Sequence, residues 1–321
     1  MTTQEDTNKV VVDIKDVEVT YRGKPKLQLG SKPLFQRTDF TVFRDLNLTI
    51  REGEFTTIVG PSGCGKSTIF RLILGSQFPT KGTVTVDGDP VRHVTPKTGI
   101  VYQRYSLFPH LTVEDNIALG PLLEATNPYE SLIRSLGPRY RRVRRESLKE
   151  ARELLGHIGL TLQDGKKFPQ ELSGGMQQRV AIAQAAIMKP KVLMMDEPFG
   201  ALDHSTREDM QLFILDQAKE HDLTVIFVTH DLDEALFLGT RIVGISQYYS
   251  PKEGVERVGS RIVTDRDLVS ALGGSHPRPL EVIDDPVFRK LRHDVHRDAL
   301  DPGHKQPVSE FDHDHPDSSL A

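Results

Sequence analysis

The sequence predicts an α/β fold with a mainly parallel sheet as its core. Short apolar runs bounded by turn residues alternate with stretches of helical periodicity, which is the pattern of strand–helix–strand units. Strands that are covered by helices on both faces form continuous apolar runs, and the runs in this chain are of that kind. Residues 10–20 and 83–92 predict a further, antiparallel β part.

Four apolar runs are the predicted buried strands. They span residues 55–60, 99–102, 191–195 and 224–229. The predicted helices span residues 66–74, 175–188 and 205–221. In the second helix, apolar residues recur at i, i+4, i+7 and i+11 and therefore share one face. These residues are Met176, Val180, Ala183 and Ile187.

Composition excludes several classes of protein. Of 321 residues, 37% are hydrophobic, which is enough for a core, and the single cysteine rules out an intramolecular disulfide framework. The N-terminus is polar, unlike a secretory signal, and no run approaches the length of about 18 apolar residues that spans a membrane. With a net charge of −4, the chain has no overall basic footprint, so we expect no nucleic-acid partner.

Three segments look like additions to this framework. Residues 22–42 are polar, contain Pro and Gly, and predict a loop. Residues 121–147 include a strongly basic stretch, and residues 251–321 form a C-terminal extension enriched in proline. We expect part of that extension, residues 301–321, to be disordered.

Two motifs in these segments each leave two interpretations open. The basic stretch 139–145 either lies against anionic lipid head groups or forms a solvated helix face, and composition alone favours the solvated face. His313 and His315 either bind a divalent metal weakly or belong to a polar tail, and the polar tail is the favoured interpretation.

The most specific motif is a glycine-rich loop between a predicted strand and a predicted helix. Its sequence, GPSGCGKS, fits the phosphate-loop pattern G-x-x-x-x-G-K-[ST]. Glycines let backbone N–H groups point inward at phosphate oxygens, and the helix that follows adds the positive end of its dipole. The lysine supplies a mobile charge for the β- and γ-phosphates, and the serine hydroxyl is a hard ligand for Mg²⁺. The predicted phosphate-binding residues are Gly60, Pro61, Ser62, Gly63, Cys64, Gly65, Lys66, Ser67 and Thr68.

Polar side chains follow the other three predicted strands where each strand ends. Asp196 and Glu197 follow one strand, His230 follows another, and Gln103 follows the third. Ligands of open α/β sheets collect at the carboxyl ends of strands, so we expect these side chains to face the phosphate loop. Asp196 would then hold Mg²⁺, Glu197 would act as general base toward water, and His230 would hydrogen-bond the γ-phosphate. Each alone is also an ordinary strand-end residue, but together they predict a site for ATP.

A second helix start is suited to binding phosphate. Ser173 is a good N-cap, and Gly174 and Gly175 leave the first N–H groups of the helix accessible. The alternative is a well-capped helix with no ligand. Two such helix starts with only one lysine-bearing loop are explained by a site that two subunits share.

Taken in chain order, these motifs resemble the ATP-binding subunit of ABC transporters. The order is the phosphate loop, Gln103, the LSGG signature, the acidic pair, Ala201-Leu202-Asp203 and His230. The resemblance covers about residues 10–245. It implies a P-loop NTPase cassette with a helical subdomain that carries the signature, with ATP and Mg²⁺ as cofactors and Gln103 among the metal ligands.

The resemblance also implies a head-to-tail homodimer. In that dimer Ser173, Gly174 and Gly175 of one subunit contact the γ-phosphate of the ATP that is held by Lys66 of the other. Asp203 couples the two sites.

The resemblance further implies an aromatic residue before the core that stacks on adenine. Tyr21 fits that role best, although the segment 22–42 separates it unusually far from the phosphate loop. Phe40 and Phe43 are the alternatives.

The wording LSGGMQQRVAIAQA and the run 279–295 resemble the importers of nitrate, sulfonate, taurine and bicarbonate. We expect the cassette to span residues 1–250, with its helical subdomain at about 104–190. The expected function is ATP hydrolysis that powers import through a separate transmembrane permease, served indirectly by a substrate-binding protein. The expected location is peripheral, at the cytoplasmic face of the inner membrane. The alternative is a soluble ABC-type ATPase that is not coupled to a transporter.

Overall fold

The structure of this chain is a computed structural model. The chain forms two compact units. Unit 1 comprises residues 1–94 and 228–321, and unit 2 comprises residues 95–227. The structure describes residues 9–23, 39–103, 107–125, 138–251, 258–274, 276, 278 and 280–307.

Parts of the three added segments lie outside the described residues. These parts are residues 24–38, 126–137, 252–257, 275, 277, 279 and 308–321. The predicted loop at 22–42, the insertion at 121–147 and the tail at 301–321 are therefore described only in part. His313 and His315 lie outside the described residues.

Twelve strands form in the described part of the chain. They are β1 (Val10–Tyr21), β2 (Phe40–Arg51), β3 (Phe55–Val59), β4 (Lys81–Val86), β5 (Asp89–Pro90), β6 (Thr98–Val101), β7 (Val192–Asp196), β8 (Thr224–Val228), β9 (Arg241–Ser246), β10 (Tyr249–Ser250), β11 (Arg261–Asp267) and β12 (Gln306–Pro307). The four predicted strands correspond to β3, β6, β7 and β8. Strands β3 and β8 are buried at every residue, as predicted. Strand β6 is half-buried at Thr98, Gly99 and Ile100 and fully buried only at Val101.

Eight α-helices form in the same ranges. They are α1 (Lys66–Leu74), α2 (Val113–Ala125), α3 (Pro138–His157), α4 (Gly174–Ala186), α5 (His204–Glu220), α6 (Leu232–Leu238), α7 (Leu268–Ala271) and α8 (Pro286–Val295). Helix α1 has its predicted bounds, and α4 ends two residues before the predicted Met188. Val180, Ala183 and Ile187 of the predicted apolar stripe are buried, and Met176 is half-buried. Among the described helices, none has the length and apolar content that crossing a bilayer requires.

Unit 1 contains an antiparallel sheet with the strand order β2-β1-β4-β5. This confirms the predicted antiparallel β part and adds β2 to it. The loop predicted for 22–42 is wrong at its end, because Phe40 already begins β2 and pairs with Tyr21 of β1. The reason lies in the second half of β2, where Leu46, Leu48 and Ile50 alternate with polar residues and are buried. Pairing with β1 extends this strand back into the polar segment.

Unit 1 also contains the strands β11, β9 and β3, which neighbour each other in that order. Strand β3 runs parallel to β9, and β11 runs antiparallel to it. C-terminal residues of the chain complete the core beside these strands. Phe288, Val295 and Ala299 are fully buried in one apolar cluster with Val59 of β3 and Leu236 of α6. Residues 286–299 are therefore an integral part of unit 1.

Unit 2 contains the strands β8, β7 and β6, which neighbour each other in that order, and β6 runs parallel to β7. Its helices include α2, α3 and α4. Two ion pairs join the first two of these helices, from Arg144 to Asp115 at 2.8 Å and from Arg152 to Glu114 at 2.8 Å. The Gln184 amide nitrogen of α4 donates to the carbonyl oxygen of Asn116 in α2 at 3.0 Å, so the helix that follows the signature belongs to the same helical layer.

Replacing Phe288 by alanine should destabilise the protein by about 3–5 kcal/mol, because it leaves a cavity in a fully buried cluster. Denaturant unfolding of the full chain measures this loss. Val287→Ala is the matched control on the same helix, since Val287 is 52% exposed and should change stability by less than about 0.5 kcal/mol. Equal effects of the two substitutions would show that α8 does not pack as described.

Candidate functional site

The glycine-rich loop connects β3 to α1 in unit 1, as predicted. Gly65 has a φ of 106°, in the left-handed region, and a Cβ at this position would overlap the ring of Phe43. A Cβ at Gly60 would overlap the carbonyl oxygen of Ile245 on β9. Two glycines of the motif are therefore required by close packing of the loop against neighbouring strands.

The Lys66 side chain lies across the loop that precedes it. Its ammonium donates hydrogen bonds to the carbonyl oxygen of Gly60 at 2.6 Å and to that of Pro61 at 3.0 Å. No side chain caps the start of α1, and its first turn contains no acidic residue. The loop thus combines a lysine charge with the positive end of a helix dipole, which is an arrangement suited to phosphate.

Cys64 fills the interior of the loop. Its side chain is fully buried, and burial raises the pKa of its thiol. The thiol is therefore mostly protonated at neutral pH. Its role in the loop is to occupy space.

The three aromatic candidates for adenine stacking differ in exposure. Tyr21 is 40% exposed and Phe40 is 63% exposed, whereas Phe43 is fully buried against Gly65. Tyr21 and Phe40 are direct partners across β1 and β2, so the two ends of the long insertion lie side by side. The Tyr21 hydroxyl donates to Gln77 at 2.8 Å. Burial alone would raise the pKa of this hydroxyl, but its hydrogen bonds, including one with Thr68 of α1, lower it.

Gln103 and Glu197 meet in unit 2. Val101 of β6 pairs with Met195 of β7, and both polar residues stand two positions beyond this pair. The Gln103 amide nitrogen donates to a Glu197 carboxylate oxygen at 3.0 Å. The parallel register therefore brings together two of the predicted strand-end residues.

The backbone of Glu197 adopts a conformation that the sequence does not reveal. Its φ is 47°, in the left-handed region, which costs about 1 kcal/mol or more for a residue with a side chain. Glu197 directly follows Asp196, the last residue of β7, and both side chains are half-buried. The turn after β7 thus holds the predicted general base in a strained backbone conformation.

His230 lies in unit 1, beyond the end of β8. The backbone N–H of Thr229 donates to the carbonyl oxygen of Ile58, in the strand that leads to the phosphate loop. Asp231 caps α6, because its carboxylate accepts from the backbone N–H groups of Asp233 and Glu234. His230 itself is exposed, and its two neighbours in the chain are held by the contact to β3 and by the helix cap. The motifs of the sequence do not mark Asp231, although aspartate before a helix is a recognised N-cap signal.

The signature segment forms a capped helix start, as its sequence predicts. The Ser173 hydroxyl accepts from the backbone N–H of Met176 at 3.3 Å. Gly175 lies close to the side chain of Leu202, so the signature and the segment Ala201–Asp203 are neighbours in unit 2. The Asp203 carboxylate accepts from the backbone N–H of Thr206 at 3.1 Å, and this hydrogen bond helps to lower the pKa of Asp203.

The predicted site residues therefore form local groups. Unit 1 holds the phosphate loop with Tyr21 and His230. In unit 2, Gln103 contacts Glu197, and the signature lies beside Ala201–Asp203. The packing of Phe43 on Gly65 and the strain at Glu197 are features that sequence motifs did not indicate.

Comparisons with known proteins agree with these motifs. The family model of the ABC transporter matches residues 43–200. The nitrate import ATP-binding protein NrtD of Synechococcus elongatus is 39% identical, over 80% of this chain and 84% of that protein. The aliphatic sulfonates import ATP-binding protein SsuB of Bacillus cereus is 40% identical, over 64% of this chain and 74% of that protein.

A solved structure extends the likeness to the fold. The ATP-binding cassette MJ0796, a dimer in a post-hydrolysis state bound to ADP and Pi, is similar with a TM-score of 0.60 and 30% identity. The similarity covers 80% of this chain and 98% of that one. With the phosphate loop, the signature and the acidic pair in family order, this chain belongs to the ABC transporter family of ATP-binding cassettes.

Proposed function

We propose that this chain is the ATP-hydrolysing subunit of an importer and that it drives transport through a separate transmembrane permease. The observation that carries the proposal is the phosphate loop, with the Lys66 ammonium lying across it at the start of α1. Relatives named for nitrate and sulfonate import support an importer of the nitrate, sulfonate, taurine and bicarbonate type.

ATP would be bound through its phosphates and its base. The triphosphate would displace the carbonyl contacts of Lys66. Its oxygens would accept hydrogen bonds from backbone N–H groups of the loop and the helix start between Gly60 and Thr68, except at Pro61, which has no N–H. Tyr21 would stack on adenine. Its exposure supports this role, and the burial of Phe43 argues against the same role for that residue.

The donor set fits Mg²⁺. Ser67, Asp196 and Gln103 offer hydroxyl, carboxylate and amide oxygens, which are the hard ligands that this ion prefers. Gln103 turns its amide nitrogen toward Glu197, so its oxygen is the atom suited to a cation. When bound, Mg²⁺ would neutralise charge on the β- and γ-phosphates.

Hydrolysis would depend on positioning and charge. Glu197 would orient the attacking water and accept its proton, and Gln103 holds that carboxylate through its amide. His230 would donate a hydrogen bond to the γ-phosphate. Lys66 would stabilise the negative charge of the transferring group. Electrostatic stabilisation of this kind is the largest contribution to catalysis in this reaction class.

A head-to-tail homodimer would complete each site. Ser173, Gly174 and Gly175 of one subunit would contact the γ-phosphate on the other, and Asp203 would couple the two sites. The start of α4 at Gly174 and Gly175, where no side chain covers the backbone, and the proximity of Gly175 to Leu202 support this arrangement.

The cassette would work at the cytoplasmic face of the inner membrane. We assign its motifs to residues 1–250, with the helical subdomain at about 104–190, and the extension at 251–321 contributes residues 286–299 to the core of unit 1. Closure of the dimer on ATP would be the mechanical step passed to the permease, which would receive cargo from a substrate-binding protein.

Replacing Glu197 by glutamine should lower ATP turnover by orders of magnitude while ATP still binds and promotes dimerisation, because the amide keeps the shape but cannot accept the proton. Steady-state phosphate release and nucleotide titration measure the two properties separately. Glu220→Gln is the control, since Glu220 is an exposed acid at the end of α5. Unchanged hydrolysis in Glu197→Gln would remove Glu197 from its proposed role.

Purification of the tagged chain from detergent-solubilised membranes should recover a multi-span permease and, with cargo present, its binding protein. Mass spectrometry of the purified complex identifies both. An active ATPase that brings down no membrane protein would instead favour the soluble ABC-type ATPase.

A further inference from the structure

The first two turns of α3 carry an unusual density of positive charge. Five arginines lie between residues 139 and 145, and each of them is exposed. No residue from 139 to 146 is buried, and burial begins only at Ser147. This part of the helix, which we call the arginine tip, therefore gains little from packing. Its residues are Arg139, Arg141, Arg142, Arg144 and Arg145.

The arginine tip is electrostatically unfavourable as an isolated helix start. Cations at a helix N-terminus oppose the helix dipole, and the first turn of α3 contains no acidic residue. Arg141 and Arg145 stand at positions i and i+4, where like charges repel. An anionic partner would relieve both effects.

Acidic neighbours compensate only part of this charge. Arg142 pairs with Glu146 at 2.9 Å, and Arg144 pairs with Asp115 at 2.8 Å. Within the described ranges, Arg139, Arg141 and Arg145 have no acidic partner. Arginines of the tip also line an open groove of about 470 Å³. The lining residues are Tyr140, Arg141, Arg144, Arg145, Leu148 and Arg152.

The directions of the charges indicate the kind of partner. At 100° per residue, the five arginines spread over about 220° of the helix circumference, while the remaining sector holds the half-buried Tyr140 and Val143 and the buried Ser147. A rigid acidic protein surface contacts only one face of a helix. Mobile lipid head groups can move to pair with charges that point in several directions. Guanidinium groups also match phosphate through paired N–H donors.

We propose that the arginine tip of α3 binds the phosphate groups of anionic phospholipids at the membrane surface. This inference rests on the proposed function only for the peripheral location of the chain. Clusters of four to eight basic residues on a helix bind anionic membranes through their summed charge. The tip would add a direct lipid contact to the attachment that the permease provides.

Vesicle sedimentation with the purified full chain tests this proposal. Wild-type protein should bind vesicles of phosphatidylcholine and phosphatidylglycerol, should not bind phosphatidylcholine alone, and should be released by high salt. The combined substitution Arg139→Gln, Arg141→Gln and Arg145→Gln should weaken binding roughly a hundredfold. The matched control removes the same charge from exposed residues elsewhere, with Lys219→Gln, Arg289→Gln and Lys290→Gln, and should bind as wild type.

Three results would overturn the proposal. The first is equal vesicle binding by the two triple variants. The second is equal binding of the wild-type protein to vesicles with and without phosphatidylglycerol. The third is binding of the wild-type protein only to vesicles that contain the permease. The last result would assign the tip to a protein contact. Since the substituted arginines lie outside the nucleotide site, the variant should keep its ATP hydrolysis in solution, so the two proposals fail separately.

Discussion

The constraint on which the rest of the structure depends is the lack of space around Gly65. The loop reaches α1 through a left-handed residue whose missing side chain leaves room for the ring of Phe43. That ring is fully buried, so its packing holds strand β2 and the phosphate loop in one relative position. The position of the loop then sets where Lys66 and the N-terminal end of α1 stand. Packing of apolar residues thus determines the position of the positive charges that face the triphosphate.

A second constraint is the register of parallel strands. Residues that stand the same number of positions past a paired residue arrive at the same edge, which is why Gln103 reaches Glu197. His230 is fixed differently, by the Thr229 contact with Ile58 and by the cap that Asp231 provides. Strand ends therefore present reactive side chains while the strand interiors supply the buried core.

The sequence predicted those parts of the fold and the site that depend on local patterns. Apolar runs marked β3 and β8, and the glycine-lysine motif marked the loop and α1, because these signals lie within a few neighbouring residues. The sequence does not predict the start of β2, because that part of the strand is polar and its partner is β1 on the other side of an insertion. The burial of Phe288 and the left-handed φ of Glu197 depend on tertiary contacts and turn geometry that no local period encodes.

The central claim is that the Lys66 loop grips the triphosphate of ATP. Calorimetric titration with Mg²⁺-ATP of Lys66→Ala, beside Lys81→Ala as a control for an exposed lysine, tests it most directly. A lost charge-assisted contact is worth about 1.5–3 kcal/mol, so Lys66→Ala should bind ATP at least about tenfold more weakly while Lys81→Ala binds as wild type. Unchanged affinity in Lys66→Ala would contradict the account.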